Sequence, residues 1–204
     1  VGAKADFPKL DRHFAGRLEM KLPQIKTVRL TKSYIAPSFN TSREAVYPLL
    51  VLSAYLGEGE TSKLYKKLVL EEKNALGVSV AYDFASRSYG GFSISAMPKE
   101  DVDAKAFETA LDKAVKEALA EISVEEIEKT KGKMLAGQVY LRDNPNDAAY
   151  IAGSMAAVGM SVEDIENHAD NIRKVSAVDV RKAAKNLFGR AINVTGVIKP
   201  EKEG

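Results

Sequence analysis

The stretch Gly57-Glu-Gly-Glu-Thr-Ser-Lys-Leu-Tyr65 places glycines ahead of Thr-Ser-Lys, residue types that cradle phosphate in nucleotide-binding loops. A Walker-type loop needs a glycine immediately before its Lys-Ser/Thr pair, so that backbone N–H groups curl around the phosphate. Here the order is Thr61-Ser62-Lys63, and Gly59 stands four residues before the lysine. Glu58 and Glu60 sit where phosphate would approach, and like charges there are costly. No third glycine follows to give dinucleotide spacing. The pattern therefore argues against a nucleotide. It favours a helix ended by Gly57 in a left-handed cap, with Thr61 or Ser62 capping the next helix.

Other chemistries lack their residues. The two histidines, His13 and His168, are far apart, and neither has a second histidine or the carboxylate spacing of a zinc helix. His168, in Glu-Asn-His-Ala-Asp, reads as an exposed helix histidine, and His13 as part of a disordered or surface N-terminal segment. The absence of cysteine excludes disulfides and thiolate sites. No Gly-x-Ser-x-Gly elbow exposes a serine nucleophile. Glu71 and Glu72 are adjacent and point apart, so they do not form an acid–base pair. The residues supply neither a catalytic group nor a metal-ligand set.

The 204 residues, 45% hydrophobic and 28% charged, suffice for one large domain with a sizeable core. Thirty basic and 28 acidic residues leave a formal charge of +2. The charges interleave, as in Glu125-Glu-Ile-Glu-Lys-Thr-Lys-Gly-Lys133, which reads as a solvated helix face with i,i+4 pairs and not as a nucleic-acid stripe. Apolar runs are too short for a transmembrane helix, and Val1-Gly-Ala-Lys-Ala-Asp-Phe-Pro8 lacks the order of a signal peptide. Residues 1–16 read as a flexible segment or linker and 17–204 as one domain.

Periodicity supplies the elements. Leu18, Met20 and Leu22 alternate with Arg17, Glu19 and Lys21, predicting a half-buried strand. Val28, Leu30 and Tyr34 share one face of a second. Glu44–Leu56 reads as an apolar helix that Pro48 would push to a later start. Helical pattern resumes over Lys63–Lys73, with Leu64 and Leu68 inward. Val78, Val80, Tyr82 and Phe84, then Phe92, Ile94 and Ala96, form a hairpin around Ala85–Gly90, whose Arg87 and Tyr89 read as exposed. Phe107, Leu111, Ala114, Val115, Ala118 and Ile122 make a helical stripe. Ser123-Val-Glu-Glu126 is a capping box, Asn144-Pro145 opens a further helix, and Ser161 and Ser176 begin two more. Gly189 closes the last helix, and Ala191–Ile198 is a final strand. The order implies α+β: a mainly antiparallel sheet packed against several helices.

Read as a block, Ala54-Tyr-Leu-Gly-Glu-Gly-Glu-Thr-Ser-Lys-Leu-Tyr-Lys-Lys-Leu-Val-Leu-Glu-Glu-Lys73 resembles the insulinase/pitrilysin family of zinc metallopeptidases, the inverzincins. The family pattern is an apolar helix, a glycine-rich break, Ser-Arg/Lys-Leu-Tyr/Phe, a charged segment and a hairpin. Ala75–Tyr82 with Gly91–Ala96, Val124–Lys131 and Val175–Lys182 continue the likeness, which spans roughly 17–198. The match is to the second, non-catalytic ("inactive") domain. The resemblance implies tandem α+β domains of the processing-peptidase type, the first carrying His-x-x-Glu-His and zinc, the second closing a chamber around a peptide substrate. Catalytic residues and metal in this chain would be none. Zinc would belong to a catalytic domain in the same parent chain or a partner subunit, in a homo- or heterodimer. The glycine segment implies substrate contacts at Gly57, Gly59, Thr61 and Ser62. Relatives with export signals make a periplasmic parent one option.

Active relatives carry an arginine near the end of the charged helix and a tyrosine seven residues later. The arginine's place falls here at Leu70 or Glu71 and the tyrosine's at Val78, and none of these can donate the required hydrogen bond. Two readings stay open: the non-catalytic domain of a metalloendopeptidase, or a structural or assembly subunit that kept the fold and lost the chemistry.

Overall fold

A computed structural model describes residues 15–142, 145–189 and 193–201. His13, Asn144 and residues 191–192, each given a role above, lie outside the described residues, as does most of the segment 1–16. Five described strands form one sheet in the order β1 (Gly16–Leu22), β5 (Asn193–Pro200), β2 (Arg29–Ala36), β4 (Gly90–Pro98), β3 (Ala75–Asp83). The β1–β5 pairing is parallel and the other three are antiparallel, so the fold is α+β with a mainly antiparallel sheet.

Helices cover one face of this sheet. On that face Leu30, Tyr34, Phe92, Ile94 and Val197 are buried beneath α1 (Arg43–Gly57), α3 (Ala104–Ala120) and α8 (Ala177–Phe188). Phe188 of α8 stands edge-on to Tyr34 at 5.1 Å and to Phe92 at 5.9 Å. Lys32 lies on the same face and is 6% exposed. Its ammonium donates to both oxygens of Asp112 on α3, at 2.5 and 2.6 Å, with Glu108 at 3.5 Å. A charge so placed is tolerable only with such partners.

No described helix covers the opposite face. Alternation puts Thr31, Ser33, Ser93, Ser95, Ser79 and Gly196 there, and Leu18, Met20, Ile35 and Val194 stand exposed on it. The strand expected from Leu18, Met20 and Leu22 exists but is not half-buried. It is an edge strand, and Leu18 is 58% exposed because its side chain points away from the helical layer.

Helix α1 starts at Arg43, earlier than Pro48 suggested, and continues through the proline. Pro48 is buried, so packing offsets the hydrogen bond it cannot donate. At the other end Gly57 is the last helical residue and not a left-handed cap; the positive φ, +73°, belongs to Gly59. The demand at Gly57 is closeness: a Cβ there would lie 2.5 Å from the backbone nitrogen of Val80 on β3. Ser62 occupies the cap position of α2 (Lys63–Tyr65), but its hydroxyl donates back to the Gly59 carbonyl at 2.8 Å. The helix then widens into a π-helical stretch, Lys66–Glu71, that keeps Leu64 and Leu68 in the core. Glu71 and Glu72 do not diverge, since both stand 3.8 Å from the Lys67 ammonium.

The remaining described helices are α4 (Val124–Arg142), α5 (Pro145–Ala157), α6 (Val162–Glu166) and α7 (His168–Lys174). Ser161 and Ser176 form complete capping boxes with Asp164 and Asp179. His168 is not an exposed helix histidine. Its ring stacks on Phe84 at 6.0 Å and lies 5.4 Å from Tyr47, with Nδ1 buried and without a hydrogen-bond partner among the described residues. Burial lowers its pKa below the ordinary value.

Gly57→Ala should destabilise the fold by about 2 kcal/mol or more, because a Cβ meets backbone that cannot move aside. Gly59→Asn, at a left-handed position open to solvent, should cost well under 1 kcal/mol, on the order of a few tenths. Urea midpoints of the two variants test the contrast. For His168 the unfolded chain binds the proton first as pH falls. Its contribution is therefore complete above the unfolded pKa of about 6.5 and declines as pH drops through the lower folded value. His168→Phe should flatten that slope in urea midpoints measured across the same range.

Candidate functional site

The close approach at Gly57 delivers the segment 58–62 to a fixed place beside α4. Glu58, Thr61 and Ser62 come from this segment, Lys63 from α2, Lys66 from the π-helical stretch, Ala54 and Tyr55 from the end of α1, and Glu126, Lys129, Thr130 and Lys133 from α4. Together they line a cavity of about 220 Å³. Tyr55 forms its inner wall. Its hydroxyl donates to the Ala118 carbonyl of α3 at 2.8 Å, and burial holds the phenol pKa well above its usual range. Of the residues that resemblance marked for substrate, Thr61 and Ser62 line the cavity, Gly59 sits at the exposed tip of the turn, and Gly57 is buried against β3.

Charged residues dominate the lining. The Lys63 ammonium lies 3.0 Å from Glu121 and 3.7 Å from Glu126, over the Tyr55 ring at 5.8 Å. Lys133 donates to the Thr61 hydroxyl at 2.6 Å. These contacts explain why Ser123 makes only half of the expected capping box. The Glu126 N–H donates to the Ser123 hydroxyl at 3.2 Å, but the Glu126 carboxylate turns toward Lys63.

The face Glu125–Lys133 is thus not simply solvated with i,i+4 pairs. Lys131 is 5% exposed and donates to the carbonyls of Arg173 and Val175 at 2.9 and 2.8 Å, with Glu128 at 2.6 Å in an i,i+3 pair. It satisfies carbonyls that end α7, where a cation also meets the negative pole of the helix. With Lys131 turned inward, Lys129 and Lys133 are left facing the glycine segment. Sequence could not reveal this division, since the three lysines occur at every second position.

A second concavity, about 400 Å³, lies on the helix-free face of the sheet, lined by Arg29, Thr31, Val78, Ser79, Ser95 and Met97 among others. The Thr31 and Ser95 hydroxyls are 3.1 Å apart. Val78, at the family tyrosine position, is 9% exposed, and Leu70 is exposed at the arginine position. Arg87 is exposed in the hairpin loop and Tyr89 half-buried. Among the described residues no three His, Cys, Asp or Glu side chains gather as a metal-ligand set. None of the described helices is long and apolar enough to cross a membrane.

Residues 3–134 match the sequence profile of the peptidase M16 inactive domain. The comparison with curated proteins found no match. Among solved structures, a protease from Helicobacter pylori superposes with a TM-score of 0.81 at 19% identity, over 95% of this chain and 45% of that one. A peptidase M16 inactive domain from Pseudomonas fluorescens gives 0.75 at 15% identity, over 98% of this chain and 46% of that one. An inactive peptidase domain from Bordetella parapertussis gives 0.76 at 19% identity, over 90% and 96%. The chain therefore spans less than half the length of the first two and nearly all of the third.

Lys131→Met should cost about 2–4 kcal/mol by leaving the Arg173 and Val175 carbonyls without their ammonium donor, the second of them buried, whereas Lys129→Met should stay within about 0.5 kcal/mol. Chemical denaturation of both variants checks this.

Proposed function

The chain belongs to the peptidase M16 inactive-domain family, and on that premise we propose that it is the non-catalytic half of a zinc-dependent metalloendopeptidase. In this reading it closes a substrate chamber against the domain that holds the metal, and lends surface to an extended peptide. The observation that supports it is the one-sided sheet. A five-stranded sheet with one face under helices and the other free of described helices, carrying exposed Leu18, Met20, Ile35 and Val194, is the shape of a wall that another folded unit or chain covers. Thr31, Ser79, Ser93 and Ser95 are small, so a peptide backbone could approach closely, and their hydroxyls offer it hydrogen bonds.

No zinc-ligand set gathers among the described residues, and in this reading the metal and the base that takes a proton from its water belong to the partner domain. This chain would position the peptide and exclude bulk water from the closed chamber.

A second reading, an assembly subunit without turnover, is favoured by Val78 and by Glu71. The first is apolar and buried where the family tyrosine would donate, and the second engages Lys67.

The test combines this chain with the His-x-x-Glu-His domain encoded beside or upstream of it. Cleavage of a quenched peptide should require both, and this chain alone, dialysed and resupplied with zinc, should neither retain one equivalent of metal nor cleave. Turnover by the chain alone would overturn the proposal. A stable complex without turnover would select the assembly reading.

A further inference from the structure

The concavity on the sheet face without described helices presents a positive charge and hydroxyl protons, with no carboxylate to meet them. Its outward lining falls in two rows across β2, β4 and β3. Thr31 pairs with Ser95, and Ser95 with Ser79, in the first row. Met97 pairs with Gly77 in the second, and Arg29, one residue before the Leu30–Ala96 pair, stands on the β2 side of it. Arg29 alternates with buried Leu30, so it points to the same side as Thr31 and is exposed there. The arginine ion pairs among the described residues belong to Arg17, Arg43 and Arg173, and Arg29 makes none. Asp83 is the carboxylate that alternation along β3 places on this face. It stands six residues beyond Gly77, about 20 Å along the strand. The Thr31 and Ser95 hydroxyls are 3.1 Å apart, so one of their two protons holds that pair and the other is left to donate outward.

We propose that this concavity is a subsite for an acidic side chain, Asp or Glu, of a bound peptide. The inference rests on the peptide-binding reading above, lies on the face to which that reading assigns the peptide, and adds a substrate class. A guanidinium flanked by hydroxyl donors is matched by a carboxylate, which accepts from it bidentately. Size agrees, because about 400 Å³ accommodates a side chain together with the backbone that carries it. Gly77 leaves the β3 side low: a Cβ there would meet only the Cε of Met97, at 3.6 Å. The unbranched Met97 gives an adaptable apolar wall for a methylene stem. Past the concavity the same face continues over Ser33, Ser93 and Ala81. These small residues let a backbone run on, which favours a side chain over a chain end as the source of the carboxylate.

The experiment follows backbone amide signals of the complete chain titrated with four probes. They are an extended peptide with one central Glu and both ends blocked, its Gln counterpart, the Gln peptide with a free C-terminus, and inorganic phosphate. The Glu peptide should shift the amides of Thr31, Ser79, Ser95 and Met97. It should bind about tenfold more tightly than the blocked Gln peptide, which corresponds to about 1.4 kcal/mol. That preference should fall toward unity in Arg29→Gln and at ~1 M salt, where the Debye length is about 3 Å. Arg29→Lys should keep part of it, since lysine restores the charge but not the planar fork. Lys113→Gln, on the helical side of the sheet, should leave it unchanged. Equal binding of the two blocked peptides, or a preference that survives Arg29→Gln, would overturn the acidic subsite and leave peptide binding standing. Tighter binding of the free-ended peptide than of the Glu peptide would overturn it in favour of a chain-end site. Shifts with phosphate but with neither blocked peptide, or no shift with any probe, would overturn both readings.

Discussion

The contact on which the site depends is that of Gly57 with Val80. Helix α1 runs into the sheet so closely that no side chain fits between its last turn and the backbone of β3. That closeness fixes where the helix ends and so where the segment 58–62 emerges. The turn that follows is short, completed by the left-handed Gly59 and tied by the Ser62 hydroxyl to the Gly59 carbonyl. Thr61 is thereby brought within reach of Lys133, 72 residues later in the chain. The glycines thus serve two different demands, proximity at 57 and backbone handedness at 59, and neither is phosphate binding.

Much of the architecture was legible in the sequence because it is written in periodicity. The hairpin of β3 and β4, the stripe of α3 and the serine-led starts of α6 and α8 follow from alternation and capping chemistry, which are local. What was not legible depends on which neighbour an element meets. Leu18 and Met20 alternate as a buried strand would, yet face away from the helices, because burial is decided by the layer and not by the strand. His168 looks polar in its own helix and becomes half-buried only when α7 meets Phe84 and Tyr47. The candidate site was legible only in part: resemblance pointed to Thr61 and Ser62, but the lysines of α4 looked like solvated charge. Their separation into inward Lys131 and cavity-facing Lys129 and Lys133 is a tertiary fact.

Two buried ammonium groups show how the helical layer is held in register. Lys32 ties β2 to α3 through Asp112, and Lys131 ties α4 to the end of α7 through backbone carbonyls. Breaking such a contact by removing one partner is expensive, so each selects one arrangement of elements over nearby alternatives. The helical side is therefore specified by directional bonds as well as apolar packing. The face without described helices carries small hydroxyl residues such as Thr31, Ser79 and Ser95.

The pairing of β1 with β5 has a consequence for how the chain assembles. These strands lie at opposite ends of the described residues, so their parallel ladder is the contact of highest sequence separation in the sheet. Loop closure makes such pairings slow, and β1 must wait while β2, β3 and β4 can already associate. During synthesis β1 would thus be the last strand of this sheet to dock, its backbone N–H and C=O groups without ladder partners until β5 emerges. This edge is where a nascent chain would be most exposed to chaperones and to aggregation.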